Sequence, residues 1–165
     1  MKTTLAPESI SRIVESTPGI QVSPILTKRI FPEFKKRYLR AINRPVQVFY
    51  PFCRGDISPL EVFGRDVIYL DADVQAIRAM YKEGLDAYTS NPLEFSPQRG
   101  IDLLLLINSP LDEENTKKLV AKVSPSFVMC DNINGAQDYL RRNHGFKFAG
   151  KIESDYSVFQ KKIIV

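Results

Sequence analysis

From Val46 onward the chain alternates short apolar runs with stretches of helical period. Residues 46–50, 67–70, 86–89, 103–107 and 126–130 are apolar on consecutive positions, the 86–89 run being the least so. Strands buried on both faces look like this, and they belong to parallel sheets covered by helices. The intervening segments read as helices or crossovers. Residues 74–83 place Val74, Ile77, Met80 and Tyr81 on a helical repeat before Gly84, a stop signal. Residues 113–123 carry acids early and lysines late, the order that the helix dipole favours. Residues 136–142 form a third helix, and a short one fits after Ser58, where Ser58 reads as cap and Pro59 as first helical residue. Two strand patterns close the chain, 146–152 and 156–165. Glu153-Ser154-Asp155 is too short a link for anything but an antiparallel hairpin. The pattern therefore predicts five strands with crossovers followed by a hairpin.

Residues 1–44 read differently. A short helix is expected over 9–15 and a longer one over 25–40, where Pro32 splits the helix or marks a start. The segment is too short for a core of its own. It is expected to be an extension lying over the carboxyl edge of the sheet, with 45–165 as the α/β domain.

Composition narrows the classes. The chain has 165 residues, enough for one sizeable core, and 44% hydrophobic with 25% charged residues is ordinary for a globular domain. No apolar run approaches the roughly 20 residues of a membrane span. No basic-then-apolar leader is seen, so the expected setting is cytoplasmic with reduced thiols. Cys53 and Cys130 are too few for a disulfide framework or a zinc site, and the lone His144 excludes a multi-histidine metal site within one chain. The net charge of +4 is unevenly spread. Residues 28–44 hold Lys28, Arg29, Lys35, Lys36, Arg37, Arg40 and Arg44 against Glu33 alone. That segment reads as a solvated face or as a contact for nucleic-acid phosphates. Phe31, Phe34 and Tyr38 beside it read as packing groups.

Strand–helix units ending in an antiparallel hairpin resemble the class I methyltransferases that use S-adenosylmethionine. Four places carry the resemblance: Tyr50-Pro51-Phe52-Cys53-Arg54-Gly55-Asp56, Ile68-Tyr69-Leu70-Asp71-Ala72-Asp73, Ser90-Asn91-Pro92-Leu93-Glu94-Phe95, and Ile101 through Asn108-Ser109-Pro110. The resemblance implies a three-layer α/β sandwich with a mostly parallel seven-stranded sheet, its last strand antiparallel beside the fifth. It also implies a cofactor site. Pro51, Phe52, Cys53 and Gly55 would form the loop after the first strand, with Tyr50 where the family carries an acid and Arg54 where it carries a glycine. Asp71 would accept from the ribose hydroxyls, and Asp73 reads as a helix cap. Asn91 would meet the adenine amino group, and Leu93 would pack on the base. Asn108 would rim the site and is the catalytic candidate, although Ser109 and Leu111 depart from the Pro and aromatic that amino-group methyltransferases carry there.

Each place also has a plainer reading. The first loop is a strand-to-helix turn, Asp71 and Asp73 are capping groups, Asn91-Pro92 is turn chemistry, and Ser109 begins the next helix. Three functions follow in order: a methyltransferase-like protein with unknown acceptor, the same fold as a silent interaction module, and a nicotinamide-dependent enzyme. The last lacks the Gly-x-Gly-x-x-Gly turn.

Overall fold

The structure of the protein, a computed structural model, describes residues 7–163. Residues 1–6 of the extension and 164–165 of the terminal strand pattern lie outside the described residues. Strands β1 (Val48–Tyr50), β2 (Val67–Leu70), β3 (Asp86–Tyr88), β4 (Leu103–Leu106), β5 (Phe127–Asp131), β6 (Phe146–Ile152) and β7 (Tyr156–Lys161) make one seven-stranded sheet in the order β3-β2-β1-β4-β5-β7-β6. The first five pair in parallel, and β7 runs antiparallel between β5 and β6. This is the order expected from the resemblance, and the hairpin turns at Glu153-Ser154-Asp155 as its length requires.

Helices α1 (Pro7–Ser16), α2 (Phe31–Tyr38), α3 (Ser58–Phe63) and α4 (Val74–Lys82) cover one face of the sheet; α5 (Glu113–Val123) and α6 (Ala136–Arg141) cover the other. The period of two along the strands sorts the core accordingly. Val48, Tyr50, Tyr69, Leu103, Leu105 and Met129 face the first layer, while Phe49, Ile68, Leu70, Leu104, Leu106 and Val128 face the second. Between β3 and β4 the chain forms turns, and Leu93 and Phe95 cover the second face there, the Phe95 ring 5.8 Å from that of Phe49.

Local chemistry accounts for most boundaries. Asp73 accepts from the N–H groups of Gln75 and Ala76, capping α4. That helix ends at Gly84 (φ +83), whose N–H donates to Tyr81 while Leu85 donates to Met80, a Schellman pair. Asp112 caps α5 through the Asn115 N–H, so Ser109 does not start that helix. Nor does Ser58 cap α3: the N-cap is Ile57, and the Ser58 hydroxyl is turned to Asp56. The long helix expected over 25–40 is a π-turn, Leu26–Ile30, that continues directly into α2; Pro32 falls just past the junction, where its missing N–H withdraws one bond from the preceding turn.

The segment before β1 lies against the sheet through buried Ile30, Phe31 and Phe34. Phe34 sits 5.6 Å from the Phe127 ring and 5.3 Å from that of Tyr38. Tyr38 donates to the Ala149 carbonyl and Arg37 to that of Lys151, tying α2 to β6. At the carboxyl edge, Gln21 bridges Asp56 in parallel: its N–H donates to the Gly55 carbonyl, and its own carbonyl accepts from Ile57.

Candidate active site

The carboxyl ends of β1, β2, β4 and β5 are joined by a chain of short contacts. The sheet reverses its order between β1 and β4, where crevices form in doubly wound sheets. The loops after these two strands face each other there. Arg54 extends an exposed guanidinium whose Nη2 donates to the Asn108 carbonyl at 3.5 Å. Asn108 in turn donates its N–H to Oδ2 of buried Asp131 at 2.8 Å. Arg54 (φ +50) and Asn108 (φ +56) both adopt the left-handed backbone, uncommon for residues other than glycine.

Asp71 stands half-buried at the end of β2. Its Oδ1 accepts the Asp73 N–H at 3.0 Å, and its Oδ2 lies 4.0 Å from Cys53 Sγ, which donates to it. Burial pushes the Cys53 thiol up to about 12, which favours the protonated form at neutral pH. Burial raises the Cys130 thiol to about 12 as well. Asn91 closes an Asx turn, its Oδ1 accepting the Leu93 N–H at 2.9 Å. Leu93 packs with Phe52 and Leu111 against the second-face core. Pro51 is buried and Phe52 half-buried. The structure thus gathers the residues after β1, β2, β4 and β5, while Asn91 stays exposed in its own turn beyond β3.

Gly55 faces elsewhere. Its φ is +78, and a Cβ built there would stand 1.9 Å from the Gly19 carbonyl oxygen. Its bare face receives the N-terminal segment.

Beneath the loop lies a polar group that the apolar pattern conceals. The Tyr50 hydroxyl donates to Asp56 Oδ2 at 2.7 Å; the Ser58 N–H and hydroxyl both donate to Oδ1. The Ser58 hydroxyl oxygen also accepts the Ser23 N–H at 2.7 Å. Burial raises the Asp56 carboxyl above its ordinary value, opposed by the bonds from Ser58 and Tyr50. The neighbouring Tyr69 hydroxyl is buried without a partner. The acid absent at position 50 is replaced by a tyrosine that binds a later acid. The one clue in the sequence is Asp56-Ile57-Ser58 before a proline, an Asx-type helix entry. His144 is exposed, and no cluster of metal-ligating side chains occurs among the described residues. No helix among them is long and apolar enough to cross a membrane.

No protein-family model matches the chain, and no curated protein does. Solved structures match in shape. YhhF of Escherichia coli, a protein assigned as a methyltransferase, superposes with a TM-score of 0.58 at 14% identity over 88% of this chain and 90% of that one. The N-methyltransferase NodS of Bradyrhizobium japonicum, solved with S-adenosyl-L-homocysteine, gives 0.55 at 13% identity over 93% and 97%. The T. thermophilus 16S rRNA methyltransferase RsmC, solved with AdoMet and guanosine, gives 0.53 at 16% identity over 76% of this chain and 37% of its own. Identities this low carry shape alone, and the shape is that of the class I methyltransferases. The chain has their fold.

Proposed function

We propose that the chain is a methyltransferase-like protein that binds S-adenosylmethionine at the carboxyl edge of its sheet. The observation that carries this reading is the Asp71 carboxylate. It is half-buried at the end of the second strand, and its oxygens keep lone pairs for two ribose hydroxyls beyond the bonds from the Asp73 N–H and the Cys53 thiol. Proteins of the same fold solved with AdoMet or its demethylated product support this cofactor class. In this reading Pro51, Phe52 and Cys53 wall the crevice beside β1, Leu93 packs on the adenine, and Asn91 meets its amino group. Asn108 faces the methyl acceptor. When bound, the cofactor supplies an electrophilic methyl group on a sulfonium sulfur. The chain's own residues hold the ribose and shape the cavity. Leu111 offers no aromatic platform, which argues against a flipped base as the acceptor.

Calorimetry with S-adenosylmethionine, S-adenosylhomocysteine and NAD tests the assignment. Asp71→Ala is expected to weaken cofactor binding roughly ten- to a hundred-fold, because hydrogen bonds to a charged acceptor contribute about 1.5–3 kcal/mol. Asp73→Ala is expected to leave affinity alone and to cost about 1 kcal/mol of stability through the lost cap. Equal affinities for the parent and Asp71→Ala would overturn the ribose assignment.

A specific observation favours a second reading, the same fold acting as a silent interaction module. The one glycine of the first loop is occupied by Gly19, and Arg54 reaches across to Asn108. No binding by the parent at millimolar cofactor would select that reading.

A further inference from the structure

Two open clefts meet on the side of the molecule that carries α2. One, of about 660 Å³, is lined by Lys35, Lys36, Arg40 and Ile42 with Glu61. The other, of about 630 Å³, is lined by Tyr38, Ile42, Arg44, Lys161 and Lys162. Ile42 lines both, so the two clefts lie side by side at the turn that follows α2.

The charge of the molecule is concentrated here. The chain holds 23 basic and 19 acidic residues, and residues 28–44 alone hold seven and one, leaving 16 and 18 elsewhere. Not every cation of that segment is free. Arg29, Arg37 and Arg44 pair with Glu153, Glu33 and Asp102. Lys35, Lys36, Arg40, Lys161 and Lys162 are exposed, and no carboxylate among the described residues lies within ion-pair distance of them. The cationic track therefore differs from the run seen in the sequence: it drops Lys28 and the paired arginines, and gains Lys161 at the end of β7 with Lys162 just after it.

Apolar groups share the lining of the second cleft with Ser126, Gln160 and the Asp102 carboxylate, which Arg44 pairs. Tyr38 is half-buried, its ring held by Phe34 and Phe127, and Ile42 and Ile163 border it. We propose that this double cleft binds a single-stranded polynucleotide, phosphates on the lysines and Arg40, a base over Tyr38 and Ile42. A single strand leaves its bases free to enter a cleft, whereas a duplex presents only backbone and groove edges. Insertion into an anionic membrane is strengthened by large exposed apolar side chains, and Ile163 is the one that these clefts offer among the described residues, which favours the single strand. Arg44, Asp102 and Ser126 stand just before β1, β4 and β5, so the second cleft opens at the amino edge of the sheet. It lies across the sheet from Asp71, and the proposal does not depend on the cofactor reading.

The test is fluorescence anisotropy on the full chain without cofactor, using short labelled oligouridylate and oligothymidylate. Binding is expected to weaken roughly 50-fold between about 50 and 200 mM salt, for about four phosphates neutralised on a single strand. Lys36→Glu/Arg40→Glu is expected to lower affinity at least roughly tenfold and to flatten the salt slope by about half. Lys82→Glu/Lys118→Glu makes the same change of net charge away from the clefts and is expected to keep most of the affinity. Melting curves confirm that both variants fold, and Lys36→Gln/Arg40→Gln replaces the first should it not. No binding of single strands, equal loss in the two variants, or preference for duplex or phosphatidylserine vesicles would each overturn the proposal.

Discussion

Phe34→Ala is expected to cost about 3–5 kcal/mol of folding stability, the usual range for removing a buried aromatic ring. Phe34 is fully buried, and its ring lies within 6.5 Å of those of Phe63, Phe127 and Tyr38. It is the point where the segment before β1 meets α3 and the sheet together. The cavity left behind has no neighbour free to fill it, because Phe63 and Phe127 are themselves fixed by the helix and strand that carry them. At about 2–4 °C per kcal/mol for a domain of this size, the melting temperature should fall by roughly 6–20 °C. Thermal melts followed by far-UV circular dichroism measure this. Tyr81→Ala serves as the comparison, since Tyr81 is 71% exposed and its loss should change stability by less than about 0.5 kcal/mol. A Phe34→Ala loss as small as that of Tyr81→Ala would mean that α2 rests on the sheet without sharing its core.

The sequence made the sheet legible because strands buried on both faces leave a plain mark. Residues 67–70 and 113–123 read as they fold, the first as an uninterrupted apolar run and the second from its acids, lysines and apolar spacing. Phe31 and Phe34 read as packing groups and are buried. The hairpin followed from a three-residue link that permits only one geometry. What was not legible depends on contacts between distant parts of the chain. A glycine in a strand-to-helix turn looks the same whether its bare face meets a ligand or a carbonyl, and only the fold shows Gly19 against Gly55. Tyr50 reads as an apolar core residue, yet its hydroxyl binds Asp56. Ser58 looks like a cap, but the carboxylate two residues earlier is the stronger acceptor and takes the helix entry. Near the site, then, sequence placed the loops on the correct strand ends, while the partner of each side chain was decided by tertiary packing.

The first loop offers the second large effect. Gly55→Ala is expected to cost about 2–4 kcal/mol. An L side chain in the left-handed region costs roughly 1–2 kcal/mol, and a methyl group cannot coexist with the Gly19 carbonyl oxygen 1.9 Å away. The N-terminal segment must move off, so the bonds that join Gln21 to Gly55 and Ile57 weaken or break, at roughly 1 kcal/mol each. Gly19→Ala isolates the backbone contribution. Gly19 also has positive φ (+89), yet nothing lies within 4 Å of its added Cβ, so its cost should stop at about 1–2 kcal/mol. Equal losses in chemical denaturation would show that the close contact at Gly55 contributes nothing. Arg54→Gly works in the opposite direction. It relieves a left-handed side chain and gives back about 0.5–1 kcal/mol through the freedom of the unfolded glycine, so stability should change little. It also removes the guanidinium that reaches Asn108 across the switch point. If that side chain alone obstructs the crevice, cofactor affinity in Arg54→Gly should exceed that of the parent. If the segment held on Gly55 obstructs it, Arg54→Gly should leave affinity unchanged, and only displacement of Gly19 from the loop would open the site. Calorimetry on the two loop variants therefore separates obstruction by one side chain from obstruction built into the fold.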